Sequence, residues 1–101
     1  MKMGKTAEFK TSDYLQSEQD RAEYLKVALE SNDDKLILLA MREIIDSMGG
    51  MSQLSQDTGL ARESLYRTLS KKGNPRFDTL IKLLDYIGLE IDFIPKHKKA
   101  V

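Results

Sequence analysis

Apolar residues recur every three or four positions along most of this chain, and that spacing predicts helices. The first predicted helix covers about Glu18 to Glu30, and Ser17 is placed to cap its free backbone amides. Asn32 or Asp33 caps a second helix, which ends at Gly49-Gly50 because glycine takes the left-handed backbone conformation at little steric cost. This second helix has the widest apolar stripe in the chain, so we expect it at the centre of the core.

Three shorter helices are predicted after the glycine pair. One starts at about Met51 or Ser52 and ends before Gly59, and the next covers Arg62 to Leu69. The glycine and the proline in the sequence KKGNP end that helix and prevent it from resuming. A fifth helix follows, on the helical spacing of Leu80, Leu83, Leu84 and Ile87.

The residues after the fifth helix follow a different period. Three apolar residues alternate with two acids between Leu89 and Phe93, and Pro95 stops the run, so a β-strand is predicted over residues 89–94. A single strand leaves its backbone groups unpaired and therefore needs a partner. We expect it to pair with the same strand of a second copy in a homodimer, and an early segment such as Glu8 to Lys10 is the alternative.

The predicted fold is therefore all-α, with five helices and a short C-terminal β-strand. The 101 residues fit one domain, because domains of about 100 to 150 residues are the commonest size. We assign this domain to residues 11–95, with a flexible arm at residues 1–10 and a flexible basic tail at residues 96–101. No apolar run approaches the ~20 residues that span a bilayer, and the N-terminus lacks the apolar core of a signal peptide. We therefore expect a cytoplasmic protein with no membrane partner.

The sequence offers little for catalysis or metal binding. It has no cysteine, which excludes disulfides, thiolate metal sites and cysteine nucleophiles. Its one histidine, His97, lies in the basic tail, and Asp33-Asp34 is better explained as a helix cap than as a catalytic pair. We therefore expect no enzyme activity, no metal and no cofactor.

Charge is distributed unevenly along the chain, although the formal net charge is zero. From Thr11 to Asp34, seven acidic side chains against two basic ones leave a net charge of −5, and we name this segment the acidic front. From Arg62 to Arg76, five basic side chains against one acidic one leave +4. Such asymmetry suggests two partners of opposite charge, and two solvated faces explain it about as well.

Residues of about 51–70 have the spacing of a helix-turn-helix motif. Leu54 is an inward aliphatic, Ser55 is small enough for two helices to approach, and Gly59 supplies the turn. Leu60 and Leu65 are the aliphatics that dock the second helix. Such a glycine corner also occurs in proteins that never bind DNA. The spacing alone therefore does not indicate DNA binding, and the chemistry of the exposed side chains is needed to support it.

In this motif the N-terminal part of the second helix enters the major groove of DNA. The candidate DNA-binding residues are Gln53, Arg62, Glu63, Ser64, Tyr66, Arg67, Lys71, Lys72 and Arg76. Arg62 can pair with a guanine, whereas the last three candidates follow the helix in a loop and suit phosphate contacts. For Glu63, support of the helix dipole is the stronger interpretation. Tyr66 is balanced between phosphate contact and partial burial, and an idle solvated charge explains each lysine about as well.

The run MSQLSQDTGLARESLYRTLSKKGNPRFDTLIKLLDYIGLEI, preceded by YLKVALESNDDKLILLAMREI, resembles the addiction-module antidote proteins, the HigA-like antitoxins of bacterial type II toxin-antitoxin pairs. The likeness covers about Asp13 to Ile94. It implies a lambda-repressor-like helix-turn-helix domain that binds its operon's promoter as a dimer and partners a small RelE/HigB-like ribonuclease toxin. The family's recognition helix then falls on Arg62 to Leu69. Such proteins often place serine before that helix, and Ala61 here removes a side-chain cap worth ~1 kcal/mol.

Under this resemblance the acidic front is a candidate toxin surface, because ribonuclease toxins of this kind tend to be basic and opposite potentials speed association. The alternative is that the first helix merely covers the core. A second alternative concerns the whole chain, which would then be a protein-interaction module that uses the helix-turn-helix only as a scaffold, without sequence-specific DNA binding.

Overall fold

The structure is a computed structural model, and it describes residues 15–70 and 72–96. The described chain is all-helical, which confirms the predicted class, and its five helices follow one another without long loops. They are α1 (Glu18–Glu30), α2 (Asp34–Ser47), α3 (Gly50–Thr58), α4 (Arg62–Thr68) and α5 (Phe77–Tyr86). The predicted N-terminal arm and all but one residue of the predicted basic tail lie outside the described residues.

The helix boundaries follow from side-chain caps and from glycine conformation. The Ser17 hydroxyl accepts a hydrogen bond from the Asp20 amide at 3.0 Å, and the Asp33 carboxylate accepts one from the Lys35 amide at 3.0 Å. Gly49, with a φ of 114°, separates α2 from α3 in the left-handed conformation. The following Gly50 already belongs to α3, so this helix starts one residue earlier than predicted.

The core is built around α2, as its apolar stripe predicted. This helix alone contributes five buried residues, and α3, α4 and α5 each contribute fewer. The buried cluster consists of Leu15, Leu38, Met41, Ile44, Ile45, Met51, Leu54, Leu65, Leu69, Leu83 and Ile87. None of the thirteen residues of α1 is fully buried, and this helix meets the core through the half-buried Tyr24 and Leu25.

The β-strand predicted over residues 89–94 is wrong for the single chain. These residues form no strand, and no other described segment is a strand with which they could pair. Alternation of apolar and polar residues selects which side chains face inward, but a strand also needs a second edge to satisfy its backbone groups. The Leu89 amide instead donates to the Leu84 carbonyl at 2.9 Å, which closes a turn after α5. The alternative pairing segment, Glu8 to Lys10, lies outside the described residues.

The longest helix, α2, has fourteen residues, fewer than the ~20 that span a bilayer. Among the described residues, we find no helix with both the length and the apolar character needed to span a bilayer.

Candidate nucleic-acid interface

The corner between α3 and α4 depends on the backbone of Gly59. Its φ of 79° lies in the left-handed region, and its amide donates to the Ser55 carbonyl at 2.8 Å, which ends α3. A β-carbon at this position would meet no atom within 4 Å. Glycine is therefore required here by the backbone conformation and not by lack of space.

Two hydroxyl groups complete the corner. The Ser55 hydroxyl donates to the Leu60 carbonyl at 2.6 Å, across the turn. The Thr58 hydroxyl donates to the Leu54 carbonyl at 2.7 Å and accepts from the Leu60 amide at 3.2 Å. Both polar groups of the Leu60 backbone are thus satisfied by side chains of α3. The sequence interpretation valued Ser55 only for its small size and gave Thr58 no part in the motif, so it missed this role.

The second helix of the motif is docked by buried aliphatic residues. Leu54, Leu65 and Leu69 belong to the core cluster, and the half-buried Leu60 packs against it. α4 ends at Thr68, so Leu69 is its C-cap residue and not its last helical residue, one position short of the predicted end. Ala61 precedes the helix without a side-chain cap, as the sequence predicted.

Opposite this buried side, α4 presents a polar surface. Arg62, Glu63 and Arg67 are exposed, and Ser64 is half-buried. None of these side chains is needed to fill the core. Glu63 lies in the first turn, where a negative charge favours the helix dipole.

Tyr66 is the platform of a small cationic cluster. Tyr66 is 39% exposed, and the guanidinium carbons of Arg42 and Arg62 lie 5.1 and 5.9 Å from the centroid of its ring. Both distances are within the range of cation–π attraction, which holds the two arginines near one ring. The cluster therefore joins α2 to the predicted recognition helix. Arg42 was missed by sequence reasoning, because only the folded chain brings α2 beside α4.

The candidate residues outside α4 have different surroundings. Gln53 is exposed, and its side-chain amide donates to the Asp57 carboxylate at 3.0 Å. The other oxygen of that carboxylate accepts from the Tyr86 hydroxyl at 2.8 Å, which ties α3 to α5. Lys72 is exposed, and Lys71 lies outside the described residues.

Arg76 precedes α5 and is paired with Asp78. Its Nε lies 3.2 Å from one carboxylate oxygen and its terminal nitrogen lies 3.4 Å from the other, with both side chains largely exposed. This hydrogen bonding raises the pKa of Arg76 and lowers the pKa of Asp78. An exposed pair of this kind contributes little to stability, because water and salt screen it. Arg76 is therefore held in place but can exchange its partner for another anion.

Among the described residues, no three histidine or carboxylate side chains are grouped closely enough to hold a metal ion. The arrangement instead offers cations, a hydroxyl group and an aromatic ring on one short helix and its neighbours. Those groups suit a polyanion with readable edges.

Comparison with known proteins supports the resemblance on which these expectations rest. A family profile described as "Probable addiction module antidote protein" matches residues 5–95. An uncharacterized protein of Haemophilus influenzae strain Rd is 36% identical over 83 residues, which are 82% of this chain and 84% of that relative. No solved structure matches the chain. The family description names an antidote and no catalytic activity. On the extent of these matches, the chain belongs to the family of probable addiction module antidote proteins.

Proposed function

We propose that this protein is a DNA-binding antitoxin, which binds the operator of its own operon through α4 and neutralises a cognate RelE/HigB-like ribonuclease toxin. The observation that carries the DNA-binding half is the exposed surface of α4. Arg62 and Arg67 project from a helix whose opposite side is fixed in the core by Leu65. The toxin half is supported by the family description, since an antidote implies a toxin.

In the proposed complex, the N-terminal part of α4 enters the major groove. Arg62 pairs with a base edge, and Ser64 serves as donor or acceptor beside it. Arg67 and Tyr66 lie one turn further on and contact a base or the backbone. Glu63 keeps its role at the helix dipole, as the weaker DNA contact in the set.

The remaining cations position the protein on the phosphate backbone without reading the sequence. Lys71 and Lys72 follow the motif in the chain, and Arg76 exchanges Asp78 for a phosphate. Gln53 offers its amide at the other edge of the groove. Arg42 joins this set as a cation from outside the motif, because its guanidinium shares the ring of Tyr66 with Arg62.

We also propose that the protein binds its operator as a homodimer. Exposed apolar residues on α5 and after it support this, since Phe77 and Ile81 on the helix lie with Phe93 in the lining of one groove. Phe93 is 86% exposed in the single chain, and Ile94 beside it is 77% exposed. A two-fold dimer buries such a patch against its own copy. Its two recognition helices would then read half-sites about one helical turn of DNA apart.

The test is binding of a labelled duplex from the region upstream of the gene, measured by fluorescence anisotropy over a range of salt concentrations. We expect affinity to fall steeply with salt, as for any protein that neutralises several phosphates. Arg62→Ala and Arg67→Ala should each cost about 1 to 3 kcal/mol of binding free energy if they contact bases. Lys26→Ala on α1 is the control, because it also removes one positive charge but lines a groove to which no residue of α4 contributes.

Wild-type binding that is weak at every salt concentration, or that both arginine variants leave unchanged, would refute the assignment of α4 as the recognition helix. The alternative, an interaction module with the motif as scaffold, would then account better for the chain. In that alternative the acidic front binds a partner, and DNA binding does not use that segment.

A further inference from the structure

An open groove lies on one side of the hairpin formed by α1 and α2, with a volume of about 260 Å³. We name it the hairpin groove. Its lining includes Tyr24, Val27 and Ala28 of α1, and Leu36, Leu39 and Glu43 of α2. Val27 is 63% exposed and Leu39 is 49% exposed, although both are large apolar side chains. Contiguous exposed apolar surface with a polar rim is a feature of interaction sites.

A hydrogen bond between the two helices lies in the lining of the hairpin groove. The Tyr24 hydroxyl on α1 donates a hydrogen bond to the Glu43 carboxylate on α2. This bond links the two helices across the groove and leaves a carboxylate in its wall. A partner would therefore meet a surface that is already shaped, which lowers the entropy cost of binding.

The surroundings of the groove are acidic. The two helices together contain seven acidic and four basic side chains. Glu23 and Glu30 lie one helical turn on either side of Val27, so they share its side of α1. Two of the four bases are engaged elsewhere. Arg21 donates to three backbone carbonyls at the start of the described chain and the end of α5, and Arg42 lies against the ring on α4.

This charge selects among the possible occupants. DNA is disfavoured, because the carboxylates at the groove repel phosphates. A second copy of the chain is disfavoured too, since a two-fold interface places each patch against itself and would bring acids against acids. The apolar lining around Phe77 and Phe93, which suits a second copy better, shares no residue with the hairpin groove. The remaining occupant is a different protein with a basic surface.

We propose that the hairpin groove is the docking site of the cognate toxin, and that it takes an apolar side chain of that protein flanked by lysines or arginines. This inference rests on the antitoxin function proposed above. The apolar side chain fills the space between Val27 and Leu39, and the flanking cations meet Glu23, Glu30 and Glu43. The opposite charges speed association, and the apolar contact supplies the larger share of the binding free energy.

The experiment uses the full chain and, as the probe, the protein encoded by the adjacent gene, recovered by denaturing the co-expressed complex and refolding. Binding is measured by calorimetry for the wild type, Val27→Arg, Leu39→Arg and the control Leu29→Arg. Leu29 lies on the same helix as Val27 and is almost equally exposed, at 61%, but it lines a different groove. Thermal melting and operator binding are measured for each variant to establish that it folds.

We expect Val27→Arg and Leu39→Arg to weaken binding at least tenfold, and Leu29→Arg to leave it within about threefold of the wild type. Equal binding by all four proteins would overturn the groove assignment while the antitoxin function stands. Equal losses in Leu29→Arg and Val27→Arg would also overturn it, because the loss would not be specific to the groove. If the wild type itself does not bind the neighbouring protein, the proposed toxin partnership fails and this inference fails with it. If an arginine variant does not fold, a photo-crosslinking residue is placed at position 39 instead. Binding of this crosslinker variant to the probe is first established by calorimetry. A variant that binds the probe but yields no crosslinked adduct refutes the proposal.

Discussion

Replacement of Ser55 by alanine tests whether the corner of the motif depends on a hydroxyl group. The Ser55 hydroxyl donates to the Leu60 carbonyl at 2.6 Å, in a half-buried position that joins α3 to the residues before α4. Ser55→Ala leaves that carbonyl without this donor, and a buried polar group left unsatisfied costs about 1 to 3 kcal/mol. Alanine recovers roughly 0.5 kcal/mol through its better helix propensity. We therefore expect a net loss of about 1 kcal/mol or slightly more in the free energy of unfolding.

Ser47→Ala is the matched control. The Ser47 hydroxyl donates to the Ile44 carbonyl at the same distance of 2.6 Å, and it is also half-buried. That bond lies within the last turn of α2 and joins no separate segments. Its loss should be offset by helix propensity, so we expect a change within about 0.5 kcal/mol of the wild type.

Urea unfolding followed by circular dichroism measures both variants. A loss of about 1 kcal/mol lowers the melting temperature of a chain of this size by about 4 to 8 °C, which thermal scans also detect. The Ser55→Ala protein should bind the operator less well than the wild type at temperatures near its own melting point. The reasoning would be refuted if Ser55→Ala and Ser47→Ala had the same stability.

Three further substitutions test other parts of the structure. Gly59→Ala should cost about 1 to 2 kcal/mol of unfolding free energy in urea titrations, because the left-handed backbone and not a steric clash opposes the side chain; a neutral result would contradict that account. Burial, followed by the hydrogen bond to Asp57, raises the pKa of Tyr86 above its usual 10.0. The contribution of the neutral Tyr86 hydroxyl to the free energy of unfolding is therefore complete below about pH 10 and is lost as pH rises through the raised pKa. The difference in unfolding free energy between wild type and Tyr86→Phe should therefore shrink above pH 10, and a constant difference would disprove the linkage. Arg42→Ala should weaken operator binding and scrambled duplex binding by similar factors, as expected for a phosphate contact, and a change confined to the operator would argue for base contact instead.

The helices could be predicted closely because their signals are local. Ser17 and Asp33 cap α1 and α2 through side chains two or three residues from the amides they bind. The apolar stripe of α2 placed it at the centre of the core, since burial follows from the spacing of apolar residues along one element. The spacing of the five motif residues predicted the corner around Gly59 for the same reason.

Whether the predicted strand after α5 forms could not be decided from the residues of that segment alone. Its alternation is real, but a strand exists only where a second edge accepts its backbone hydrogen bonds. That information lies outside the segment. Leu89 turns back on α5 instead, and Phe93 is left exposed in the single chain.

The polar contacts that link separate helices were also beyond sequence reasoning. Arg42 reaches Tyr66 from α2, and Tyr86 reaches Asp57 from α5, across 24 and 29 positions of the sequence. A pairing of this kind depends on how helices pack and not on the spacing of residues in one helix. The set of candidate DNA-binding residues predicted from the sequence was therefore drawn up without Arg42.

The central claim is that α4 reads the sequence of the operator, and the ratio of affinities for operator and scrambled duplex tests it most directly. The wild type should prefer its operator by a factor of about 10³ or more at physiological salt. Arg62→Ala should lower that ratio markedly, because the proposed complex places Arg62 against a base edge, whereas Lys72→Ala should weaken both affinities and leave the ratio nearly constant. A ratio that Arg62→Ala leaves unchanged, or a wild-type ratio near one, would contradict the account.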